Sequence, residues 1–367
     1  MSTGPLDPLD PLDPQARRDR EAAALTQARA LGDSVRGRTS PNPPVGAVIL
    51  DADGQVVGWG ATQPAGQAHA EVMALAQAGD RARGGTALVT LEPCAHTGRT
   101  GPCTDALLGA GIARVVYSVP DPDPAAAGGG AVLAAAGVDV EGGVAAAAAA
   151  AGALEPWLFA LAQGRPFVTW KFAATLDGRI AAADGTSRWI TGPEARADVH
   201  RLRDVVDAVL VGSATVLADD PQLTVRGPDG ANVAGRQPLR VVLDRRRRVP
   251  EDARMFDGSG PSLRLAAAAP RFALKALYDH GARHVLLEGG ATLAGAFLEA
   301  GCIDRIVAYV APTLLGAGPP ALGPAGIATI ADALKLRDVS VETVGRDVRI
   351  IGSTRGTQDH PRGTEAE

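Results

Sequence analysis

Cysteine is scarce in this chain: 367 residues contain three, too few for a disulfide framework. Two of them, Cys94 and Cys103, stand at a spacing that suits a metal, so a reducing, cytoplasmic setting is expected. Basic residues are not in excess either. The formal net charge of -5 argues against a general electrostatic grip on nucleic acid and for small-molecule partners. Long apolar runs are also missing, since no stretch approaches the roughly 20 residues that span a bilayer. The first residues lack the basic-then-apolar order of a secretory signal, so neither membrane insertion nor export is expected. What is there, 46% apolar and 21% charged residues, is the composition of a globular protein. At about 150 residues per domain the length predicts two domains.

Residues 1–16 carry Leu-Asp-Pro three times and too little apolar surface to fold alone, and are expected to be a disordered tail. A helical pattern over 17–31 is broken at Pro41-Asn42-Pro43-Pro44, after which 45–50 and 55–60 read as a hairpin turning at 51–54. Residues 70–78 have helical spacing and 86–91 read as a strand. These elements predict a first domain over 17–145. The Ala-rich stretch that follows predicts a linker over 146–165, helical in character. From there, strand-like runs at 167–172, 208–212, 239–243, 284–287 and 305–310 alternate with helical stretches, which predicts a largely parallel sheet over 166–354 and a disordered tail over 355–367. The fold class is α/β throughout.

The chemistry is most specific around His69-Ala70-Glu71, followed by Pro93-Cys94 and then Cys103. One imidazole and two thiolates are zinc ligands, and three protein ligands leave the fourth tetrahedral position to water. Such a water becomes acidic near neutral pH. Glu71, two residues from the imidazole, is placed to take its proton and return it to the ring nitrogen and leaving amine, as shuttle and not ligand. A structural zinc site is the blander alternative, but those are usually closed by four protein ligands. H-x-E followed by P-C is the pattern of zinc deaminases, in the nucleobase and tRNA members of which about two residues usually separate the cysteines. Here eight residues, 95–102, separate them.

The phrase Glu92-Pro93-Cys94-Ala95-His96-Thr97-Gly98-Arg99-Thr100-Gly101-Pro102-Cys103, with Pro41-Asn42-Pro43-Pro44-Val45-Gly46 upstream, resembles the deaminase domain of the RibD family of riboflavin biosynthesis. Three later phrases, Lys171 to Arg179, Ser187 to Thr191 and Gly212 to Pro221, resemble in order and spacing the reductase domain of the same family. The resemblance implies a cytidine-deaminase-like three-layer domain followed by a dihydrofolate-reductase-like domain, with zinc and NADPH as cofactors. It also implies two reactions on a small phosphorylated pyrimidine. A diaminohydroxypyrimidine bearing a phosphoribosylamino group loses ammonia, and the ribosyl group of the resulting uracil is then reduced to ribityl. Self-association into a homo-oligomer is left open.

Carried over by position, Asn42 contacts substrate in the first domain, where His96 and Arg99 are further candidates against the plainer reading of solvated loop residues. In the second domain Ala173, Trp189, Thr215, Asp219 and Gly290-Ala291-Thr292-Leu293-Ala294-Gly295-Ala296 line the dinucleotide site. Ser187, Arg203, Leu223, Arg226 and Glu288 hold the substrate. Guanidinium groups suit a ribose phosphate, though ordinary salt bridges are the alternative. Lys171 is a candidate for orienting the phosphate or polarising the sugar carbon. Physically, 284–296 read as a strand, a Gly turn and a helix start that offers amides to a phosphate, although the full G-x-G-x-x-G fingerprint is absent. Arg245 follows a strand ending at Asp244, where dinucleotide enzymes select the extra phosphate of NADPH; a solvated basic turn is the alternative for Arg246 to Arg248. Cys302 reads as a packed side chain.

Between Asp244 and Glu288 the chain is shorter than the family pattern by about one βα unit, joined near 265–272. Two rival functions follow: an active deaminase whose second domain is disabled by that loss, and a nucleic-acid editing deaminase. Intact Lys171, Arg203, Arg226 and Glu288 count against the first, and the acidic balance and the wide cysteine spacing against the second.

Overall fold

The computed structural model describes residues 13–96, 101–233 and 235–355, which divide between Leu161 and Ala162 into two compact units. The first contains α1 (Pro14–Ser34), β1 (Gly46–Leu50), β2 (Val56–Ala61), α2 (Ala70–Ala78), β3 (Thr86–Leu91), α3 (Cys103–Ala110), β4 (Arg114–Val119), α4 (Gly129–Ala135), β5 (Asp139–Gly142), α5 (Ala146–Ala150) and most of α6 (Glu155–Gln163). Its sheet runs β2-β1-β3-β4-β5, antiparallel across the first three strands and parallel across the last three. Strand side chains alternate between faces. Ala47, Ile49 and Val89 therefore face the α2 alanines, Leu107 and Leu133 on one side. Val48, Leu50 and Leu88 meet Ala24, Leu25 and Ala28 of α1 on the other. The result is the three-layer arrangement expected.

Helix α1 begins earlier than its periodicity suggests. Asp13 caps it by accepting from the Gln15 and Ala16 amides, and Pro14 takes the first helical position, where a missing N–H costs nothing. The last Leu-Asp-Pro repeat is thus a helix start, and the tail expected over 1–16 loses residues 13–16; residues 1–12 lie outside the described residues. Buried Arg114 ties α1 to the sheet through Glu21 at 2.8 Å, and also pairs with Asp139 and Glu141. The stretch expected as a linker folds as α5 and α6. Ala149, Leu154 and Trp157 sit in the first core because this run has buried apolar positions at helical spacing, and the Trp157 indole N–H donates to the Pro41 carbonyl at 3.1 Å.

The second unit contains β6 (Phe167–Thr175), α7 (Pro193–Asp204), β7 (Ala208–Gly212), α8 (Ser213–Asp219), β8 (Leu239–Leu243), β9 (Ser262–Leu265), α9 (Pro270–Asp279), β10 (His284–Leu287), α10 (Ala291–Glu299), β11 (Arg305–Ala311), β12 (Arg337–Val344) and β13 (Asp347–Ser353). The order is β12-β13-β11-β6-β10-β7-β8-β9, parallel from β11 to β9, with an antiparallel hairpin, β12 and β13, at the other edge. Apolar residues cover both faces, as a parallel sheet requires. Leu274, Leu277, Ala294 and Phe297 pack on one side, and Val216 and Met255 on the other. At the expected join, β9 pairs in parallel with β8 and leads directly into α9, so the shortened chain still completes a regular sheet edge. Cys302 is packed in this core, as expected.

Parallel strands that share a direction bring their carboxyl ends to one edge, where ligands of open α/β sheets bind. That edge carries Lys171 and Ala173 of β6, Glu288 to Gly290 after β10, Ser213 to Thr215 after β7, and Asp244 to Arg248 after β8.

Candidate functional sites

In the first unit, β1 enters and β3 leaves the sheet at the same end, because the two are antiparallel with Ala47 opposite Val89. Asn42, half-buried before β1, and Cys94, after β3, therefore share that end, and the end of β2 leads from it to His69. His69 precedes the first residue of α2, and Cys103 is the first residue of α3. The His69 Nδ1 atom lies 3.2 Å from the Cys103 sulfur and 3.6 Å from the Cys94 sulfur, and the Cys103 amide donates to the Cys94 sulfur at 3.4 Å. A tetrahedral zinc with bonds of about 2.3 Å to sulfur and 2.0 Å to nitrogen spaces its ligand atoms about 3.6 Å apart, so this donor set fits zinc. Hydrogen bonding from Cys103, against burial and with help from His69, brings the Cys94 thiol down to about 4, and the same bond pushes Cys103 up. Such asymmetry belongs to two thiols sharing one proton; as zinc ligands both are thiolates.

Glu71 is 4% exposed. Burial first, and then the Cys94 charge, raise its carboxyl above the usual range, against its own backbone amide and His69. It is a buried carboxyl two residues from His69. His96 is exposed, and Arg99 lies outside the described residues.

Two supports were not read from the sequence. Buried Glu92 accepts from the Gly130 amide at 2.9 Å and the Asp121 amide at 3.1 Å, fixing the chain just ahead of Cys94. Gly129 lies so close that an added Cβ would meet the Pro93 carbonyl oxygen at 1.7 Å. Both depend on the parallel pairing of β3 with β4, which no local pattern reports. Asp121 itself is raised to about 6, chiefly by burial.

In the second unit, register sets Leu287 beside Trp170, so Glu288 and Lys171 come level as each strand continues. The Lys171 Nζ atom is 4.0 Å from Glu288. Arg203 of α7 forks onto the same carboxylate at 2.6 and 2.9 Å and also donates to the Thr224 carbonyl at 3.0 Å. The ordinary surface salt bridge is excluded here: the Arg203 and Glu288 side chains are 13% and 9% exposed. Burial favours a neutral Glu288, but the Arg203 charge and hydrogen bonds and the Lys171 charge overcome it and lower the carboxyl to about 2. Burial also lowers Lys171, with Glu288 opposing and Arg203 adding. Arg226 is lowered by burial and by the like charges of Arg203 and Arg254. Crowded cations of this kind suit an anion.

Leu223 is buried with φ +60°, a left-handed conformation uncommon for a side chain of its size. Gly290 ends the turn after β10 and precedes α10 without a side-chain cap, and an added Cβ there would lie 3.8 Å from the Thr215 hydroxyl, so the starts of α8 and α10 face each other. Of the run after it, Thr292 is exposed and Ala291, Leu293 and Ala296 are half-buried. Ala294 is fully buried and Gly295 fits against the Pro324 carbonyl; these two pack the helix down. Arg196 lies over the exposed Trp189 ring at 4.5 Å. Arg188 donates to the Asp219 carbonyl at 2.6 Å. Ser187 and Ala173 are half-buried. Arg245 is exposed; the arginine that reaches α8 is Arg248, which donates to the Ser213 hydroxyl at 2.7 Å while its own amide bonds Asp244.

Residues 19–119 match the cytidine and deoxycytidylate deaminase zinc-binding region, and residues 166–350 match the RibD C-terminal domain. The riboflavin biosynthesis protein RibD of Mycobacterium tuberculosis is 51% identical over 314 residues, which are 86% of this chain and 91% of that one. The chain belongs to the RibD family. It is a bifunctional enzyme of riboflavin biosynthesis, a zinc-binding deaminase joined to an NADPH-dependent reductase. RibD of Escherichia coli is 42% identical over 354 residues, 88% of this chain and 96% of that one. A solved RibD structure from Acinetobacter baumannii is 41% identical, covers 92% of this chain and 99% of its own, and superposes with a TM-score of 0.84. The E. coli alignment is longer than the share of this chain it takes in, so this chain is the shorter there; the M. tuberculosis alignment shows no such deficit. Neither rival function gains support. Among the described residues no helix is long and apolar enough to cross a membrane.

Proposed function

We propose that His69, Cys94 and Cys103 hold the zinc of the RibD deaminase and that Glu71 moves its protons. When bound there, zinc supplies an acidified water as the nucleophile. Glu71 would then move the two protons of the attacking water, one to the ring nitrogen and one to the amine that leaves as ammonia, as the ring carbon exchanges its C–N bond for C=O. A raised carboxyl pKa suits a group that must both accept and donate. Asn42, at the same sheet end, orients the pyrimidine. The observation that carries this assignment is the convergence of three zinc donors from separate elements beside one buried carboxylate.

In the second unit, Arg203, Arg226, Leu223, Ser187 and Glu288 hold the phosphorylated substrate, and Lys171 stands at the reacting end. NADPH supplies the hydride. Ala173, Trp189, Thr215, Asp219 and the exposed face of 290–296 orient the dinucleotide, and Arg245 together with Arg248 meets its extra phosphate. The substrate is the diaminohydroxypyrimidine bearing a phosphoribosylamino group, deaminated first and reduced second. Three cysteines without disulfides suit a cytoplasmic enzyme.

Replacing Cys94 by Ser is expected to lower zinc from one equivalent per chain to well under half, measured by metal analysis after dialysis, and to lower ammonia release in proportion. Stoichiometric zinc in that variant would remove Cys94 from the ligand set.

A further inference from the structure

His200 lies on α7 one turn before Arg203, half-buried, and no role above includes it. Its Nδ1 atom is 3.1 Å from the Thr224 carbonyl oxygen and 3.2 Å from the Arg226 backbone nitrogen. One ring nitrogen cannot donate to the first and accept from the second, so the tautomer decides. Arg203 favours the second, because its Nη1 already donates to the Thr224 carbonyl at 3.0 Å and partners that oxygen without the imidazole. With its proton on Nε2, His200 accepts from the Arg226 amide and both backbone groups are satisfied. Protonating Nδ1 takes that acceptor away. Burial foremost, then the charges of Arg203 and Arg226, lower the His200 pKa against the Thr224 carbonyl and Glu288, which favours the neutral ring.

The segment held this way includes Leu223 at φ +60°, a conformation that persists only where surrounding contacts impose it. His200 and Arg203, one turn apart on α7, supply two of those contacts at Arg226 and Thr224, and Gln237 holds the Val225 amide and carbonyl between them.

We propose that His200 is a positioning residue of the reductase: by accepting from the Arg226 amide it fixes the 223–226 segment that presents Leu223 and Arg226 to the phosphorylated substrate. This rests on the assignment of those two residues to the substrate. His200 touches no reacting atom and acts through the segment, so its loss weakens substrate binding more than it slows hydride transfer.

The test uses the full-length zinc-loaded enzyme, NADPH and the deaminated pyrimidine ribose phosphate, comparing wild type with His200→Leu, His200→Asn, His200→Gln and Arg226→Gln. An Asn carbonyl can stand where Nδ1 stands, whereas a Gln carbonyl reaches the Nε2 position. His200→Leu and His200→Gln are expected to raise the pyrimidine KM about tenfold, with kcat within about threefold. Ammonia release and the NADPH KM stay unchanged, and His200→Asn returns the pyrimidine KM to within about threefold of wild type. Should His200→Leu fail to fold, the contrast between Asn and Gln still decides. A wild-type KM in His200→Gln, or Asn no better than Gln, overturns the proposal. An unchanged KM in Arg226→Gln refutes instead the substrate assignment beneath it.

Discussion

Glu71→Gln stops ammonia release while zinc stays at one equivalent per chain. The amide keeps the volume of the carboxyl and its place in α2, so the ligands are undisturbed, but it cannot take up a proton. General acid–base catalysis contributes about 10²–10⁴-fold, and a loss of that size in kcat with little change in KM is the expected result. Metal analysis and an ammonia assay on the same sample separate shuttle from ligand. Retained zinc with undiminished turnover would refute the shuttle, and lost zinc would make Glu71 a ligand. NADPH oxidation with the deaminated pyrimidine supplied directly stays at the wild-type rate, since the altered residue lies in the other unit.

The second large effect is expected from Arg203→Ala. Its guanidinium is forked onto Glu288 with both side chains largely buried, so its removal leaves a buried carboxylate with Lys171 at 4.0 Å to balance it. Breaking a buried pair costs about 3–5 kcal/mol, visible as a fall in the urea midpoint with an unchanged slope. The Thr224 carbonyl also loses a donor, and NADPH oxidation fails. The same pair sets a pH signature. Glu288 is held at about 2 in the folded chain against an ordinary 4.5, so its stabilisation is complete above about 4.5 and is lost as pH falls toward 2. Wild type therefore loses stability over that interval, and Arg203→Ala loses less of it. Equal acid sensitivity in the two proteins would show that the pair contributes nothing. Arg203→Lys keeps the charge but not the fork, and is expected to recover only part of the stability.

What sequence shows depends on how local the cause is. The convergence of His69, Cys94 and Cys103 was legible because zinc admits few ligand types, and Glu71 as their candidate neighbour because it lies within one turn of His69. Helix α2 and the strands β3, β7, β8 and β10 were legible to the residue, since each is a short apolar run bounded by polar or Gly positions. The start of α1 was missed because a Leu-Asp-Pro repeat has the composition of a tail, while one Asp-Pro step caps a helix once the helix has a sheet to bury against. The Ala run over 145–151 reads as a helical linker, yet α5 within it and α6 after it belong to the first core, through Ala149, Leu154 and Trp157. Glu92, Gly129 and His200 meet partners 24 or more residues away, and nothing local marks them. Arg248 rather than Arg245 reaches α8 because Asp244 turns the chain by binding the Arg248 and Val249 amides. Resemblance to the family supplied the positions in the second unit; the buried Arg203–Glu288 fork needed the sheet.

The most direct measurement supplies purified zinc-loaded protein with the diaminopyrimidine ribose phosphate and follows ammonia, then adds NADPH and follows its absorbance. One ammonia per substrate, followed by one NADPH oxidised per ammonia released, is the expected result. Ammonia without NADPH oxidation would contradict the second activity, and neither, with competent substrate and metal, would contradict both.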